Sequence, residues 1–320
     1  EPPPKFASPS SIREVSTGVL VGSHASQGAH QWLGIPYAQP PVNNLRWKAP
    51  RPAMPWNDRL EALNYGKQCV QLPVIPGSGA DEGVVGDEDC LVLNIWAPTF
   101  APTLVPKNDA RLPVMVWIHG GGNSMGSGGS ELVDFYNGAK LAADHNVIVV
   151  TLNYRMGPIG WFAHRALRDT ATSPEDQSGN YGTLDLIAAL AWVQSDISAF
   201  GGDPANVTIF GESAGGQNVL SLMASPIAKG LFHRAIVQSG GLDIVPLAEA
   251  ESRGLDDYGK PRLSSDELIA RWLIGQGRAS NMDEAIVKKD AMESEELPGF
   301  LRSISATDLY SGLTAEFAGM

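Results

Sequence analysis

From residue 113 onward the chain repeats one pattern: short, almost unbroken apolar runs at residues 114–118, 147–152, 207–210 and 235–238. Runs of that length and composition match strands buried on both faces. Helical stretches fall between them, at residues 138–145, 183–200 and 214–223. Strands alternating with helices predict βαβ units, a largely parallel sheet and right-handed crossovers. The first hundred residues read differently. Shorter β pieces over 17–22, 32–37 and 91–96 are separated by long loops such as 40–55, and the last of them stops at Pro98. After Gly241 the strand pattern ends. Ser264, with Glu267 three residues on, forms a capping box that opens a helix over 268–274. Residues 280–283 open a second helix, and Pro298 predicts a break before a third from Gly299. The chain carries no internal repeat and no low-complexity tract.

Composition narrows the class. In 320 residues, 43% are hydrophobic and 18% charged, which suits a globular chain with a core large enough to need no staples. The 35 Gly and 23 Pro exclude a helical bundle. With 23 Lys+Arg against 35 Asp+Glu, the net charge of -12 would repel nucleic-acid phosphates and anionic membrane surfaces. No apolar run approaches the ~20 residues of a membrane span; residues 186–193 are among the longest. The sequence opens at Glu1 with no basic-plus-apolar leader, which leaves a removed signal peptide open. The two cysteines, Cys69 and Cys90, flank a Pro/Gly-rich acidic stretch and have no second Cys or His nearby, so a four-ligand zinc site is not available. Two readings stand for them: reduced core thiols, or a disulfide closing a surface loop in an oxidising compartment. The chain-entropy contribution of such a bond is roughly 3 kcal/mol.

The strongest chemical signal is Gly211-Glu212-Ser213-Ala214-Gly215, set between the strand at 207–210 and the helical pattern that follows. G-x-S-x-G alone is weak, and the strand before and helix after make it specific. Glycines in a sharp strand-to-helix turn remove Cβ clashes, so Ser213 can take a strained conformation with Oγ exposed. The alternative is a plain glycine-rich turn. The second signal is His119-Gly120-Gly121-Gly122 after the strand at 114–118. Its main-chain N–H groups can approach a substrate oxygen and form an oxyanion hole with the N–H of Ala214. A phosphate loop is the alternative, but no G-x-x-x-x-G-K-[ST] occurs and the loop has no Lys. His119 reads as an orienting or packing residue, not a base.

Together these stretches resemble the type B carboxylesterases, the family that also holds the cholinesterases and the non-catalytic neuroligins. The resemblance rests on Gly34-Ile-Pro-Tyr-Ala38 through Leu45-Arg46-Trp47, Glu88-Asp-Cys-Leu-Val-Leu-Asn-Ile95 and Trp117-Ile-His-Gly-Gly-Gly122. It continues through Asn153-Tyr-Arg155, Asn180-Tyr-Gly182, Phe200-Gly-Gly-Asp-Pro204, the Ser213 pentapeptide and Gln238-Ser-Gly240, in order and over most of residues 17–241. It implies an α/β-hydrolase fold, a mostly parallel central sheet with helices on both faces in three layers, here in its N-terminal part. The expected division is 1–110 for N-terminal strands and disulfide loop, 111–241 for the core with its nucleophile elbow, and 242–320 for a helical cap or acyl-pocket region. It implies Ser213 as nucleophile, Gly121, Gly122 and Ala214 as oxyanion donors, and Cys69–Cys90 as the family's first disulfide. Glu212 and Ser239 match polar residues placed near the catalytic histidine, and Arg46 with Glu88 an ion pair at the base of the disulfide loop.

Two departures stand out. Asn123 replaces the aromatic that follows the glycines, predicting a more polar pocket mouth. The Cys69–Cys90 loop has no Trp, Tyr or Phe to hold a quaternary ammonium, which argues against choline esters. The sequon at Asn206 sits at a strand entrance and reads as ordinary sequence. The triad is also incomplete. The histidines are His24, His30, His119, His145, His164 and His233, and none follows Ser213 except His233, 20 residues on. The chain order of this fold puts the acid and then the histidine after the serine. Family members run much longer and carry both there. Asp256, Asp257 and Glu267 read as solvated charges. The base is therefore expected on a second chain or a missing C-terminal segment, with an inactive truncation or a substituting local histidine as alternatives. The functional expectation is a secreted or periplasmic serine esterase acting on a small-molecule ester, with no cofactor. A non-catalytic binding module on the same fold is the competing reading, and the presence of a serine at 213 discriminates against it.

Overall fold

The computed structural model describes residues 5–25, 27–73, 83–131, 135–242, 244–255, 263–293, 295–310 and 313. Seven strands form the central sheet: β1 (Ser23–His24), β2 (Ala29–Pro36), β3 (Val92–Pro98), β4 (Leu112–Ile118), β5 (Ile148–Leu152), β6 (Gly202–Glu212) and β7 (Arg234–Gln238). Their spatial order is β7-β6-β4-β5-β3-β2-β1. The four strands expected from the apolar runs, β4 to β7, are mutually parallel. β3, β2 and β1 extend the sheet by antiparallel pairing.

Alternation along the strands divides the core into two faces. Val114, Val116 and Ile118 of β4 and Ile148, Val150 and Leu152 of β5 pack with Leu186, Leu190 and Val193 of α2 (Tyr181–Asp196) and Val219 and Leu222 of α3 (Ala214–Ala224). Trp96 and Val149 point the other way, onto Ala139 and Ala142 of α1 (Ala139–His145). Helices on both faces of one sheet give the three layers expected. Of the small sheet formed by Arg13–Val15, Gly18–Val21 and Leu60–Glu61, the sequence pattern resolved Gly18–Val21, within the β piece expected over 17–22, and missed the other two, which are too short to show a period.

Among the described residues, the extended elements after β7 are all helices. α4 (Ser265–Gly275) opens on Ser264, whose hydroxyl accepts from the Glu267 N–H at 3.3 Å, the expected cap. α5 (Met282–Ala291) is capped by Asn281. Pro298 does not break the chain as expected. It lies in the first turn of α6 (Glu296–Ser303), where the missing N–H would have had no intrahelical acceptor. With α7 (Ala306–Tyr310) these helices pack a second core of Trp47, Phe162, Trp272, Leu273, Leu301 and Tyr310. Glu267 is not a solvated charge: it is buried and paired with Arg253 and Arg271. Asp256 and Asp257 lie outside the described residues. No helix among the described residues is long and apolar enough to cross a membrane.

Candidate active site

Ser213 stands between the end of β6 and the start of α3 with φ 55 and ψ -124, side chain exposed. A non-glycine residue at positive φ is costly and persists where its surroundings over-determine it. Here they do. The Ser213 N–H donates to Gln238 O at 2.9 Å, tying the turn to β7, and its carbonyl accepts from the Gln217 N–H. A Cβ on Gly215 would lie 2.1 Å from Ile118 O, and one on Gly211 would lie 2.6 Å from the Gly215 carbonyl. The helix can leave the strand this tightly only without those side chains.

The glycine loop meets this turn directly. A Cβ on Gly120 would sit 2.6 Å from Glu212 O and 3.2 Å from Ser213 Cβ. Gly121 and Gly122 follow with φ 106 and 61, both exposed beside the serine turn. Among the described residues, the N–H groups of Gly121, Gly122 and Ala214 donate to no acceptor. Glu212 is exposed at the same end, close enough to Tyr136 to help burial raise that phenol's pKa. Ser239, at φ 50, is exposed just past β7. The residues singled out from the sequence thus converge at the C-terminal end of the parallel strands.

Side chains to which the sequence assigned no such role hold the loop. Asn218 Nδ2, one turn into α3, donates to Asn123 Oδ1 at 2.8 Å. The oxygen of Asn123, expected at a polar pocket mouth, thus ties the loop to α3. Tyr154 donates to His119 O at 2.7 Å and stacks on the His119 ring at 4.4 Å. Asn153 Oδ1 accepts from the Gly128 N–H, and Gln71 brackets Gly126 from the other side.

None of the six histidines serves Ser213 in this arrangement. His119 is buried with Nδ1–H donating to Gly120 O, and burial lowers its pKa to about 4. His233 accepts from the Val207 N–H through Nδ1. Val207 precedes Ser213 by six strand positions, roughly 20 Å at ~3.3 Å per residue. His164 caps the helix Arg165–Asp169 and faces Asp266 at 3.4 Å. His24 and His30 bond Ser8 and Ser10 in the N-terminal segment, and His145 ends α1.

Cys69 and Cys90 are bonded, with Cα atoms 5.0 Å apart. Glu88 beside the bond accepts two hydrogen bonds from Arg46, at 2.7 and 2.5 Å, and Arg46 Nη1 donates to Ile304 O at 2.6 Å. Asn206, the sequon residue, accepts from Arg234 within the sheet.

Residues 9–252 match the Carboxylesterase family. The chain is 49% identical over 225 residues to the para-nitrobenzyl esterase of Bacillus subtilis (strain 168), covering 70% of this chain and 43% of that one. It is 41% identical over 250 residues to the fumonisin B1 esterase of Sphingopyxis macrogoltabida, covering 78% and 43%. A solved structure of a PNB esterase superposes with a TM-score of 0.70 at 37% identity, over 97% of this chain and 54% of that chain. The chain therefore spans about half or less of the relatives it matches. The match to that structure, at that identity, makes the fold that of an α/β hydrolase. With well over half of its residues matched, the chain belongs to the carboxylesterase family.

Proposed function

We propose that this chain carries the nucleophile and oxyanion hole of a serine esterase acting on a small-molecule carboxylic ester. Ser213 Oγ attacks the ester carbonyl carbon and passes its proton to a histidine. The oxyanion settles on the N–H groups of Gly121, Gly122 and Ala214. The intermediate collapses, the alcohol leaves with the proton, and water then hydrolyses the acyl-enzyme. The observation that carries this reading is the exposed Ser213 at φ 55, packed against a glycine loop whose N–H groups remain open. The names of the relatives support the ester class. Histidine and acid come from polypeptide outside residues 1–320, on a second chain or a following segment, because none of the six histidines reaches Ser213. Glu212 and Ser239, both exposed near Ser213, are assigned to border that histidine. The described helices after β7 are assigned to a cap over the acyl side. The disulfide supports a secreted or periplasmic location. The chemistry assigned here uses side chains and backbone alone.

The test is hydrolysis of p-nitrophenyl acetate by the protein together with its histidine-bearing polypeptide. Ser213→Ala is expected to abolish turnover. An unchanged rate would overturn the assignment, and no turnover by the intact wild-type assembly would favour a non-catalytic binding module.

A further inference from the structure

Gln71 lies two residues past Cys69, fully buried, and bonds to the loop that ends the oxyanion glycines. Its amide engages Gly126 in both directions: the Gly126 N–H donates to Oε1 at 2.6 Å, and Nε2 donates back to Gly126 O at 2.9 Å. Nε2 also donates to Cys69 O at 2.9 Å, folding the side chain onto its own disulfide. The Gln71 backbone is fixed as well, by reciprocal hydrogen bonds of 2.9 and 2.8 Å with Val85 on the returning limb of the disulfide loop.

On its far side Gly126 leaves no slack. At φ 116, a Cβ there would lie 2.5 Å from His119 Nδ1 and 2.7 Å from Gly120 O. Between Gly120 and Gly126 the chain forms one closed turn, with Gly121 O accepting from the N–H groups of both Ser124 and Met125 at 3.1 Å. A shift of Gly126 therefore moves Gly120 and Gly121. We propose that Gln71 is a positioning residue for the oxyanion loop, fastening the glycine turn to the disulfide loop. This rests on the reading of Gly121 and Gly122 as oxyanion donors. Donor placement matters steeply, since a misplacement of about 1 Å costs on the order of 10²-fold in rate.

Two variants test it in the protein with its histidine-bearing polypeptide, with active sites counted by fluorophosphonate. Gln71→Met keeps shape and removes every side-chain hydrogen bond. It is expected to lower kcat about 10- to 100-fold and leave KM within about twofold. Gln71→Glu keeps an acceptor for the Gly126 N–H but, when ionised, opposes two carbonyl oxygens. Its protonated form restores a donor, so the Gln71→Glu to wild-type ratio of kcat is expected to rise as pH falls, while the Gln71→Met ratio stays flat. Wild-type kcat per titrated site in both variants, with only Tm lowered, would overturn the proposal. If wild type itself takes no label at Ser213, the esterase reading fails. Amide exchange in residues 1–320 then decides the placement: Gln71→Met is expected to speed exchange at residues 120–126 above that of the sheet, and unchanged exchange there would overturn it.

Discussion

At Ser213 and its glycines, backbone geometry dictates residue type. Gly215 begins a helix, where Ala is ordinarily favoured over Gly by about 1 kcal/mol. A Cβ 2.1 Å from the Ile118 carbonyl oxygen outweighs that gain. Gly215→Ala is expected to cost about 3 kcal/mol or more in urea unfolding, and a change within about 0.5 kcal/mol would show that the turn relaxes freely. Asn218→Ala leaves the half-buried Asn123 oxygen without its 2.8 Å donor and is expected to cost about 1–2 kcal/mol. His119 supplies a pH dependence. Its folded pKa of about 4 lies below its unfolded value, so the unfolded chain binds the extra proton first. Its contribution to stability is present above about pH 6.5 and is lost as pH falls towards about 4. His119→Asn, which keeps a donor for Gly120 O, is expected to reduce the slope of Tm against pH in that window, and an unchanged slope would clear His119 of the effect. The serine turn was legible because its residues adjoin in sequence. Gln71 and Asn218 were not, because their partners lie 55 and 95 positions away.

Among the elements, legibility followed the length of the apolar run. Strands β4 to β6 could be read because their inward positions are buried and apolar, and β7 from an apolar run that the structure leaves largely exposed. The three-residue and two-residue strands of the small sheet leave no such trace. Pro298 misled because a proline in a first turn and one that ends a helix look alike in sequence. The disulfide loop is fastened at its base by the Arg46–Glu88 pair, whose side chains are 6% and 11% exposed, and Arg46 reaches on to Ile304 beyond α6. Glu88→Gln strands a buried guanidinium and is expected to destabilise the fold by about 3–5 kcal/mol. Thermal unfolding under oxidising conditions checks this, and a loss below about 1 kcal/mol would mean that the loop is held by the disulfide alone.

For the whole molecule, the exposed apolar surface concentrates at one edge. β7 has a strand neighbour on one side among the described residues, and Ile236 is 45% exposed and Val237 36%. Leu242, Ile244, Val245 and Leu247 follow at 45–80%. An uncovered edge with apolar side chains pairs readily with another chain. Residues 1–320 alone are expected to self-associate at micromolar concentration in sedimentation velocity, and a clean monomer would show that the edge is protected. On a p-nitrophenyl ester they are expected to be essentially inactive. The expectation of a histidine from outside residues 1–320 was read from the positions of the six histidines, whereas the clamps on the glycine loop required the structure.

The central claim is that Ser213 is the nucleophile. Fluorophosphonate labelling of the protein with its histidine-bearing polypeptide, followed by peptide mass spectrometry, tests it most directly. The adduct is expected on the peptide containing Ser213 and on no peptide of the Ser213→Ala variant. Ester turnover with an unlabelled Ser213, or an adduct on another residue that tracks loss of activity, would contradict it.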